Sequence, residues 1–407
     1  MCRGSATPRI VIVGAGIAGL TLAAACRRLG LDAIVLEKSP DVRGMGGGLV
    51  LYPNGVRILD LLNLGPWTRS QDAGISGYFA RGSDNELLLE DSYDRFNSDM
   101  GKPIVPVLRS ELLTALKSGT PASWLRFGVD AADLREGDET ASIIAADGEQ
   151  FTGDLVVLAD GIGSGLAKTV TRRCLGYTGL AFWGGVLTGA DRVPLPPHAM
   201  QWWFGTGRTC CVWPLAGCRQ WWYVMTRIDS SEVHRGPDKL AQVRRLCSGW
   251  DREIEEFLAC EQTPHNFAMP VWEVAQADAW HRGRVVMIGD AAHAIGPTTG
   301  QGANLAIEDA FALACCIAAH RNDIGHALRR YEAIRRPSVE YVREYERTTS
   351  AVRVSSDPAV IAARERTIRT GSVDELLSRI RPVSSPAAFH AVPEYAMLEP
   401  ACQQGHA

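Results

Sequence analysis

The sequence predicts an α/β protein in which a parallel sheet flanked by helices is interrupted by an inserted antiparallel sheet and followed by a C-terminal helix. Three observations predict this arrangement. A strand, a glycine-rich turn, a helix and a second strand open the chain, two later apolar strands end beside an aspartate, and most tryptophans lie in the middle. Strands that are apolar throughout are typical of parallel sheets, because helices cover both faces of such sheets.

Composition places the chain among ordinary globular proteins and excludes several functional classes. The 407 residues are enough for two or three domains, and 46% hydrophobic with 22% charged residues is an average balance. The net charge of -4 shows no basic excess, so we expect no nucleic-acid partner. The sequence leaves both a monomer and a homodimer open.

The eleven cysteines show no spacing typical of a metal site or a redox motif. They are also too sparse for a scaffold held by disulfides. Reduced thiols are typical of cytoplasmic proteins, so we expect a cytoplasmic location and no bound metal.

An uncharged run from Ile10 to Cys26 has the appearance of a secretory signal or a membrane span. The run is slightly short for a bilayer, no basic stretch precedes it and no processing site follows it. It also contains glycines at fixed spacing. A buried strand followed by a buried helix explains the run better, and we therefore expect no membrane span.

The same region reads as one βαβ unit. Residues 9–13 form a short β-branched run, residues 20–29 form a helical run rich in alanine and leucine, and residues 32–37 form a second strand. The turn between the first strand and the helix carries the pattern Gly-x-Gly-x-x-Gly. A strand, a glycine motif, a helix and a second strand in this order are a far more specific signal than the glycines alone.

The spacing of Gly14, Gly16 and Gly19 has a geometric explanation. The first glycine makes a tight turn, the second lets the backbone approach a pyrophosphate, and the third lets helix and strand pack closely. The helix N-terminus then faces the phosphates. Glu37 ends the second strand, where it can accept from ribose hydroxyls and disfavours a 2′-phosphate by its charge. The unit therefore predicts a Rossmann-like site for the ADP half of FAD or NAD.

Two further apolar strands lead to acidic residues. Residues 155–158 precede Asp160, and residues 284–289 precede Asp290. A glycine-rich loop and a long helix over 305–319 follow the second aspartate, which favours another polar cradle at a helix N-terminus. Because ligands of open α/β sheets bind at the carboxyl ends of strands, we expect both aspartates at the ligand site.

The middle of the chain differs in character. Nine of the eleven tryptophans lie between Trp183 and Trp280, and the runs around Trp213 and Trp222 read as antiparallel strands. Core packing explains each tryptophan taken singly, and some of them are also candidates for the lining of an aromatic pocket. The predicted divisions are a nucleotide-binding domain over 1–174 and 279–350 with a charged helix at about 327–349, a substrate domain over 175–278, and a helical tail over 351–407.

These sites, in this order, resemble the FAD-dependent aromatic hydroxylases, the single-component flavoprotein monooxygenases related to p-hydroxybenzoate hydroxylase and salicylate hydroxylase. The resemblance covers roughly residues 9–347. Its motifs are residues 14–19, the Asp160-Gly161 segment, and residues 289–304, where Gly-Asp and Pro-x-x-Gly-Gln-Gly occur together at the family spacing. The resemblance implies a Rossmann-like FAD-binding domain with an inserted antiparallel β-sheet substrate domain and a C-terminal helix.

The resemblance also implies a cofactor site for FAD. The glycines of the first turn would hold the pyrophosphate, Glu37 the adenosine ribose and Asp290 a ribityl hydroxyl. The loop from Pro297 would run beside the isoalloxazine ring, and the dipole of the helix that follows would favour the anionic reduced flavin. The expected cofactor-binding residues are Gly14, Gly16, Gly19, Glu37, Lys38, Arg43, Gly48, Arg109, Asp160, Asp290, Pro297, Gly300, Gly302, Ala303 and Asn304.

One position departs from the family pattern. The family usually carries an arginine three residues after the serine of the Asp-Gly segment. Here Ala167 stands at that distance from Ser164, and Lys168 comes next. Because the family links this segment to both FAD and the pyridine nucleotide, the detail of NAD(P)H docking stays open.

The activity that the resemblance implies is hydroxylation of an aromatic or conjugated small molecule by NAD(P)H, O2 and a flavin hydroperoxide. An epoxidase or another tailoring oxygenase of natural-product biosynthesis is an alternative, and a non-oxygenating flavin-binding protein is one from another class. Tyr223 is the candidate catalytic partner of a phenolic substrate, ahead of Arg208 and His198. His293 is expected to pack or to hydrogen-bond rather than to exchange protons.

Overall fold

The structure is a computed structural model that describes residues 7–42, 47–71, 75–188, 196, 198–234, 236–260 and 266–398. The strands of these residues are β1 Arg9–Val13, β2 Asp32–Glu37, β3 Gly48–Leu51, β4 Gly77–Arg81, β5 Leu87–Ser92, β6 Val105–Leu108, β7 Leu125–Phe127, β8 Ala131–Glu136, β9 Ala141–Ala145, β10 Gln150–Gly153, β11 Leu155–Leu158, β12 Arg173–Thr188, β13 Ala199–Phe204, β14 Arg208–Leu215, β15 Arg219–Arg227, β16 Phe267–Ala277, β17 His281–Arg282 and β18 Val285–Met287. The helices are α1 Ile17–Leu29, α2 Pro53–Leu61, α3 Gly65–Ser70, α4 Asp94–Met100, α5 Arg109–Gly119, α6 Ala167–Val170, α7 Lys239–Cys247, α8 Arg252–Ala259, α9 Asp290–His293, α10 Gly302–Ala319, α11 Ile324–Arg353, α12 Pro358–Thr370, α13 Val373–Leu376, α14 Arg381–Ser384 and α15 Pro386–His390.

A six-stranded sheet forms the centre of the nucleotide-type domain, in the order β17-β18-β11-β1-β2-β7. All neighbouring strands in it are parallel except β17 and β18. The four residues of β11 are all buried, as the apolar pattern predicts. This sheet confirms the predicted α/β fold class. Helix α1 begins at Ile17 rather than at Leu20, so the third motif glycine lies inside its first turn.

The second large sheet has seven strands, in the order β16-β12-β15-β14-β13-β4-β5. Its neighbours are antiparallel except β13 and β4, which run parallel. The predicted substrate segment over 175–278 therefore shares its sheet with residues 77–92 from the earlier part of the chain. Strand β4 alternates between buried and partly buried residues, because one of its faces packs on the core and the other does not.

Helix α10 lies in the hydrophobic core. It packs on α1, α2 and α11, and its residues are almost all apolar. In the described part of the chain it is the one helix long and apolar enough to cross a membrane, and 78% of that stretch is buried inside the protein. The uncharged run from Ile10 to Cys26 forms β1 and most of α1, as predicted.

The C-terminal tail returns to the seven-stranded sheet. The α11 helix continues through Pro337 for 30 residues, beyond both predicted ends of the charged helix. In α12, the Arg369 guanidinium binds the Glu86 carboxylate (2.8 Å for each oxygen), just before β5. The Val373 amide then donates to Asp91 (2.7 Å) in β5 itself. These contacts place the tail beside β5, the edge strand of the seven-stranded sheet.

A buried charge network joins α9, α10 and α11. The Asp309 carboxylate of α10 accepts from the Gly289 amide (2.9 Å), from the Arg335 guanidinium (2.9 Å) and from the His293 ring. His293 also packs on the Trp280 ring, with centroids 5.0 Å apart. Burial raises the pKa of Asp309, but His293 and Arg335 outweigh it and bring the pKa down to about 2. The structure thus places His293 in a hydrogen-bonding and packing environment.

The Asp309→Asn substitution is expected to lower the free energy of unfolding by about 3 kcal/mol at pH 7, because the buried Arg335 guanidinium loses one of its two carboxylate partners and keeps Glu308 (3.0 Å) alone. The folded-state pKa of Asp309 lies below its ordinary value of 3.8. Its contribution is therefore complete above about pH 4 and is lost as the pH falls from 3.8 toward 2. Urea unfolding of both proteins across this range measures the difference.

The matched control is Glu256→Gln, which removes an exposed carboxylate that pairs with Arg252 (2.7 Å) one helical turn away. This control should change stability by no more than about 0.5 kcal/mol. Equal stability of wild type and Asp309→Asn at pH 7 would contradict the role of the network.

Candidate functional site

One cavity of about 370 Å³ lies between the parallel sheet and the seven-stranded sheet. Residues of the predicted nucleotide site line one part of it, including Gly16, Arg109 and Asp290. Aromatic residues of the second sheet line the rest. The cavity therefore brings into one space two groups of residues that the sequence analysis assigned to different domains.

The turn between β1 and α1 has the geometry that the glycine spacing predicts. Gly14 adopts a φ of 103°, and a Cβ added there would lie 2.6 Å from the Ala159 carbonyl oxygen. A Cβ on Gly19 would lie 2.0 Å from the Gly14 oxygen. No side chain caps α1, and Ile17 and Ala18 of its first turn line the cavity. The uncapped helix N-terminus can bind an anion such as a pyrophosphate.

Glu37 lies at the end of β2, where its carboxylate supports the same turn. One oxygen accepts from the Ala15 amide (2.9 Å) and the other from the Ser39 amide (2.9 Å). Each oxygen keeps a further lone pair for a ribose hydroxyl. Lys38 follows directly and acts electrostatically on Asp160. Arg43 lies outside the described residues.

Asp160 follows β11, and the next residue, Gly161, lines the cavity. Burial raises the pKa of Asp160, and its hydrogen bond with Ser164 partly opposes this. Ala167 stands where the family pattern has an arginine, so this position carries no charge in this chain. The Arg173 guanidinium of β12 instead donates to the carbonyls of Ile162 (2.6 Å), Ser164 (3.1 Å) and Ala291 (2.6 Å), tying the Asp160 loop to α9.

Asp290 and Arg109 both line the cavity. Burial raises the pKa of Asp290, while the charges of His293 and Arg109 lower it in part. Arg109 is the first residue of α5 and follows β6, the partner strand of β3. A carboxylate acceptor and a cation on one wall of the cavity can bind the hydroxyls and phosphates of a dinucleotide.

The glycine-rich loop after α9 lines the cavity with Pro297, Gly300, Gly302 and Ala303. Gly302 begins α10, whose N-terminus has no side-chain cap. Two uncapped helix N-termini, those of α1 and α10, therefore face the same cavity. Each favours negative charge, because the aligned peptide dipoles leave a partial positive charge at a helix N-terminus.

The buried Glu346 carboxylate of α11 holds this loop in place. It accepts from the amides of Thr298 (3.0 Å) and Thr299 (2.7 Å) and from the Ser350 hydroxyl (2.9 Å). Nothing local in the sequence marks Glu346, because the two loop amides that it binds lie 47 and 48 residues earlier in the chain.

Asn304 has a different position from the other predicted cofactor residues. Its amide nitrogen donates to the carbonyls of Val50 (2.9 Å) and Gly300 (3.0 Å), and its oxygen accepts from the Tyr52 amide (2.9 Å). The side chain therefore joins the loop to β3 rather than lining the cavity. Gly48 in β3 does line it, and a Cβ there would lie 2.4 Å from the ring of Trp221.

The other part of the cavity is aromatic. Tyr223 lies among Phe182, Trp202 and Trp221, with ring centroids 4.8, 5.9 and 5.4 Å away. Burial raises the pKa of Tyr223 well above its usual value, so its hydroxyl stays protonated. Of the three substrate-region candidates, Tyr223 lines the cavity, whereas the Arg208 guanidinium donates to the Leu246 carbonyl and lies over the Trp250 ring. The third candidate, His198, is a positive-φ residue outside the cavity lining.

The C-terminal tail completes the aromatic part. Arg353, the last residue of α11, lines the cavity beside Tyr223, and four apolar tail residues close the same wall: Val373, Leu376, Leu377 and Ile380. Sequence reasoning missed all of them, because nothing local in a charged helix or a short tail helix marks contact with a distant sheet.

Comparison with known proteins relates the chain to FAD-binding proteins and to monooxygenases. Residues 7–345 match the family model described as an FAD binding domain. A 3-amino-4-hydroxybenzoate 2-monooxygenase of Streptomyces cremeus is 32% identical over 340 residues, which cover 81% of this chain and 83% of that protein. An aurachin C monooxygenase/isomerase of Stigmatella aurantiaca is 28% identical over 329 residues, covering 80% and 84%. The crystal structure of Klebsiella pneumoniae HpxO with FAD and uric acid has the same fold, with a TM-score of 0.86, 23% identity and coverage of 93% and 98%.

The Glu346→Gln substitution is expected to weaken FAD binding about tenfold, because the new amide group places a donor against the Thr298 or Thr299 amide. Titration of the apoprotein with FAD, followed by flavin fluorescence, measures the dissociation constant. Glu344→Gln, which neutralises an exposed carboxylate on the same helix, is the matched control and should leave the constant within about twofold. Equal FAD affinity in the two variants would show that the loop does not depend on Glu346.

Proposed function

Because this chain belongs to the FAD-dependent aromatic hydroxylase family, we propose that it is a monooxygenase that hydroxylates an aromatic or conjugated small molecule. The electrons come from NADH or NADPH. One oxygen atom of O2 forms the new carbon–oxygen bond, and the other leaves as water. The free cysteines among the described residues support the expected cytoplasmic location.

The observation that carries the proposal is the continuity of the cavity. A wall built for a dinucleotide, with two helix N-termini, Asp290 and Arg109, opens directly onto a wall of aromatic side chains. A flavin ring bound at the junction would have its substrate in the same enclosed space. A carrier of flavin alone has no need for the aromatic part, which favours an enzyme over a non-oxygenating flavin-binding protein.

Bound FAD supplies the redox chemistry and the oxygen transfer. The chain supplies binding and orientation: the first turn of α1 would hold the pyrophosphate, and Asp290 would accept from a ribityl hydroxyl. The N-terminus of α10 would stabilise negative charge on the reduced ring. The aromatic wall excludes water, which strengthens these electrostatic interactions and protects reactive species from solvent.

Tyr223 supplies a polar group in the aromatic wall. Its hydroxyl has no hydrogen-bond partner among the described residues, and it remains protonated because of its burial. The hydroxyl can therefore donate to an oxygen or nitrogen atom of the substrate and orient the ring for attack. We assign Tyr223 this role rather than that of a base, since a buried tyrosine with a raised pKa loses its proton reluctantly.

A tailoring oxygenase is the second candidate for the same site. The relative from Stigmatella aurantiaca, named aurachin C monooxygenase/isomerase, supports this reading, because its name joins oxygenation with a rearrangement. The two candidates share the cofactor site and differ in the product formed in the aromatic part.

The test of the proposed function is oxygen uptake by FAD-loaded protein with NADH or NADPH, over a panel of phenols, heteroaromatic acids and polycyclic compounds. Hydrogen peroxide is measured alongside. We expect at least one compound to stimulate uptake well beyond the peroxide formed, because coupled oxygenation consumes O2 without releasing it as peroxide. Flavin that stays oxidised with both nucleotides under anaerobic conditions would contradict NAD(P)H as the electron donor.

With such a substrate, Tyr223→Phe is expected to lower kcat about tenfold or more and to raise the fraction of oxygen released as peroxide. FAD content and melting temperature should not change, because the hydroxyl makes no contact that supports the fold. Tyr341→Phe, which removes an exposed hydroxyl bound to the Arg379 carbonyl (2.9 Å), is the control and should retain wild-type kcat. Unchanged kcat and coupling in Tyr223→Phe would remove this residue from the reaction.

A further inference from the structure

Arg353 is the cation of the aromatic part of the cavity. Its guanidinium lies over the Trp202 ring, 4.4 Å from the centroid, and one nitrogen, Nη1, donates to the Thr298 carbonyl (2.7 Å). That carbonyl is the one hydrogen-bond acceptor of the guanidinium among the described residues. The remaining donors of a five-donor group are thus available to the cavity that Arg353 lines.

No carboxylate of the described residues forms an ion pair with Arg353. The ionisable side chains that would act on it most strongly are four tyrosines: Tyr223, Tyr345, Tyr78 and Tyr52. Burial raises the pKa of Tyr52, Tyr78 and Tyr223, so these hydroxyls are neutral in the folded protein. The guanidinium itself stays charged, because arginine does not lose its proton in proteins.

The nearest acid along the same helix face is already engaged. Glu346 lies two helical turns before Arg353, and its oxygens accept from the Thr298 and Thr299 amides and the Ser350 hydroxyl. Among the described residues that line the cavity, Asp290 is the one carboxylate, and it lies with Arg109 on the cofactor side. An enclosed cation without a counter-ion is costly, and a bound anion offsets that cost.

We propose that Arg353 is a specificity-determining residue of this chain, whose guanidinium holds the anionic group of the aromatic substrate, either a carboxylate or an ionised hydroxyl. This proposal rests on the proposed function and assigns a further residue to the same site. The anion would take the free donors of the guanidinium, and the ring would pack among Trp202, Phe182 and Tyr223. Charge and aromatic surface would together fix the orientation of the substrate.

Arg353 lies outside the segment that the family model matches. That match ends at residue 345, eight residues before Arg353. The tail holds Arg353 in place, because the Arg364 side chain donates to the Arg353 carbonyl (3.0 Å) and to the Phe204 carbonyl (2.8 Å) in β13. The apolar tail residues Leu376, Leu377 and Ile380 line the same cavity and form one apolar wall of the proposed anion-binding site.

The experiment is a binding titration of the FAD-loaded protein, followed by the change in the flavin absorption spectrum, without turnover. The ligands are matched pairs: mono- and bicyclic aromatic carboxylates with their carboxamides, and acidic nitrophenols with their methyl ethers. We compare wild type, Arg353→Gln, and Arg347→Gln, which removes an exposed arginine paired with Glu273 (2.9 Å) on the same helix. FAD content is measured for every protein.

We expect wild type and Arg347→Gln to prefer at least one class of anion over its neutral partner by about tenfold or more. In Arg353→Gln the dissociation constant of the anions should rise about 10- to 100-fold, as for loss of a charge-assisted hydrogen bond, while that of the neutral partners stays within about threefold. The class that loses affinity identifies a carboxylate or an ionised hydroxyl as the anchored group.

Two results would overturn the proposal: a wild type that binds no anion better than its neutral partner, and an Arg353→Gln variant that keeps the wild-type preference. Arg353→Lys provides a second measurement if the glutamine variant does not fold, since it keeps the charge and should keep part of the preference. Failure of oxygen uptake with intact anion binding would instead count against the proposed function alone.

Discussion

The buried carboxylate of Asp309 is the contact on which the arrangement of the site depends. It joins α10 to two other segments of the chain: residues 289–293, through the Gly289 amide and the His293 ring, and α11, through Arg335. The strand end that presents Asp290 and the long helix behind it are thereby held to the core helix α10. A buried charge of this kind is tolerated because each partner supplies a donor, and the same contacts keep the segments from sliding.

Helix α11 carries that constraint to the far side of the cavity. Arg335, Glu346 and Arg353 are separated by 11 and 7 residues, which is about three and two turns of a helix with 3.6 residues per turn. They therefore share one face of α11. The first fixes the helix to Asp309, the second fixes the loop beside the cofactor wall, and the third reaches the aromatic wall. One rigid helix thus sets the relative position of the cofactor loop and the cation of the substrate part.

The features that the sequence predicts correctly are local ones. The glycine spacing specifies the turn after β1, because a Cβ at Gly14 would strike Ala159 and one at Gly19 would strike Gly14. The strand ends at Asp160 and Asp290 follow from apolar runs of four to six residues. The parts that were missed depend on pairing between distant segments. Strands β4 and β5 join the second sheet through the pairing of β4 with β13, and Arg173 acts electrostatically on Asp160 from 13 residues further along the chain.

Both parts of the cavity have a mainly positive electrostatic potential. The helix N-termini of α1 and α10, Arg109 and Arg353 all bring positive potential to it, whereas Asp290 is the one carboxylate among the described lining residues. On the cofactor side that potential suits a pyrophosphate and a ring that gains negative charge on reduction. In the aromatic part Tyr52, Tyr78 and Tyr223 do not offset this potential, because burial raises the pKa of each hydroxyl and keeps it neutral. An anionic substrate would supply the negative charge that the aromatic part lacks. Cofactor and substrate would then each neutralise the part of the wall that they contact.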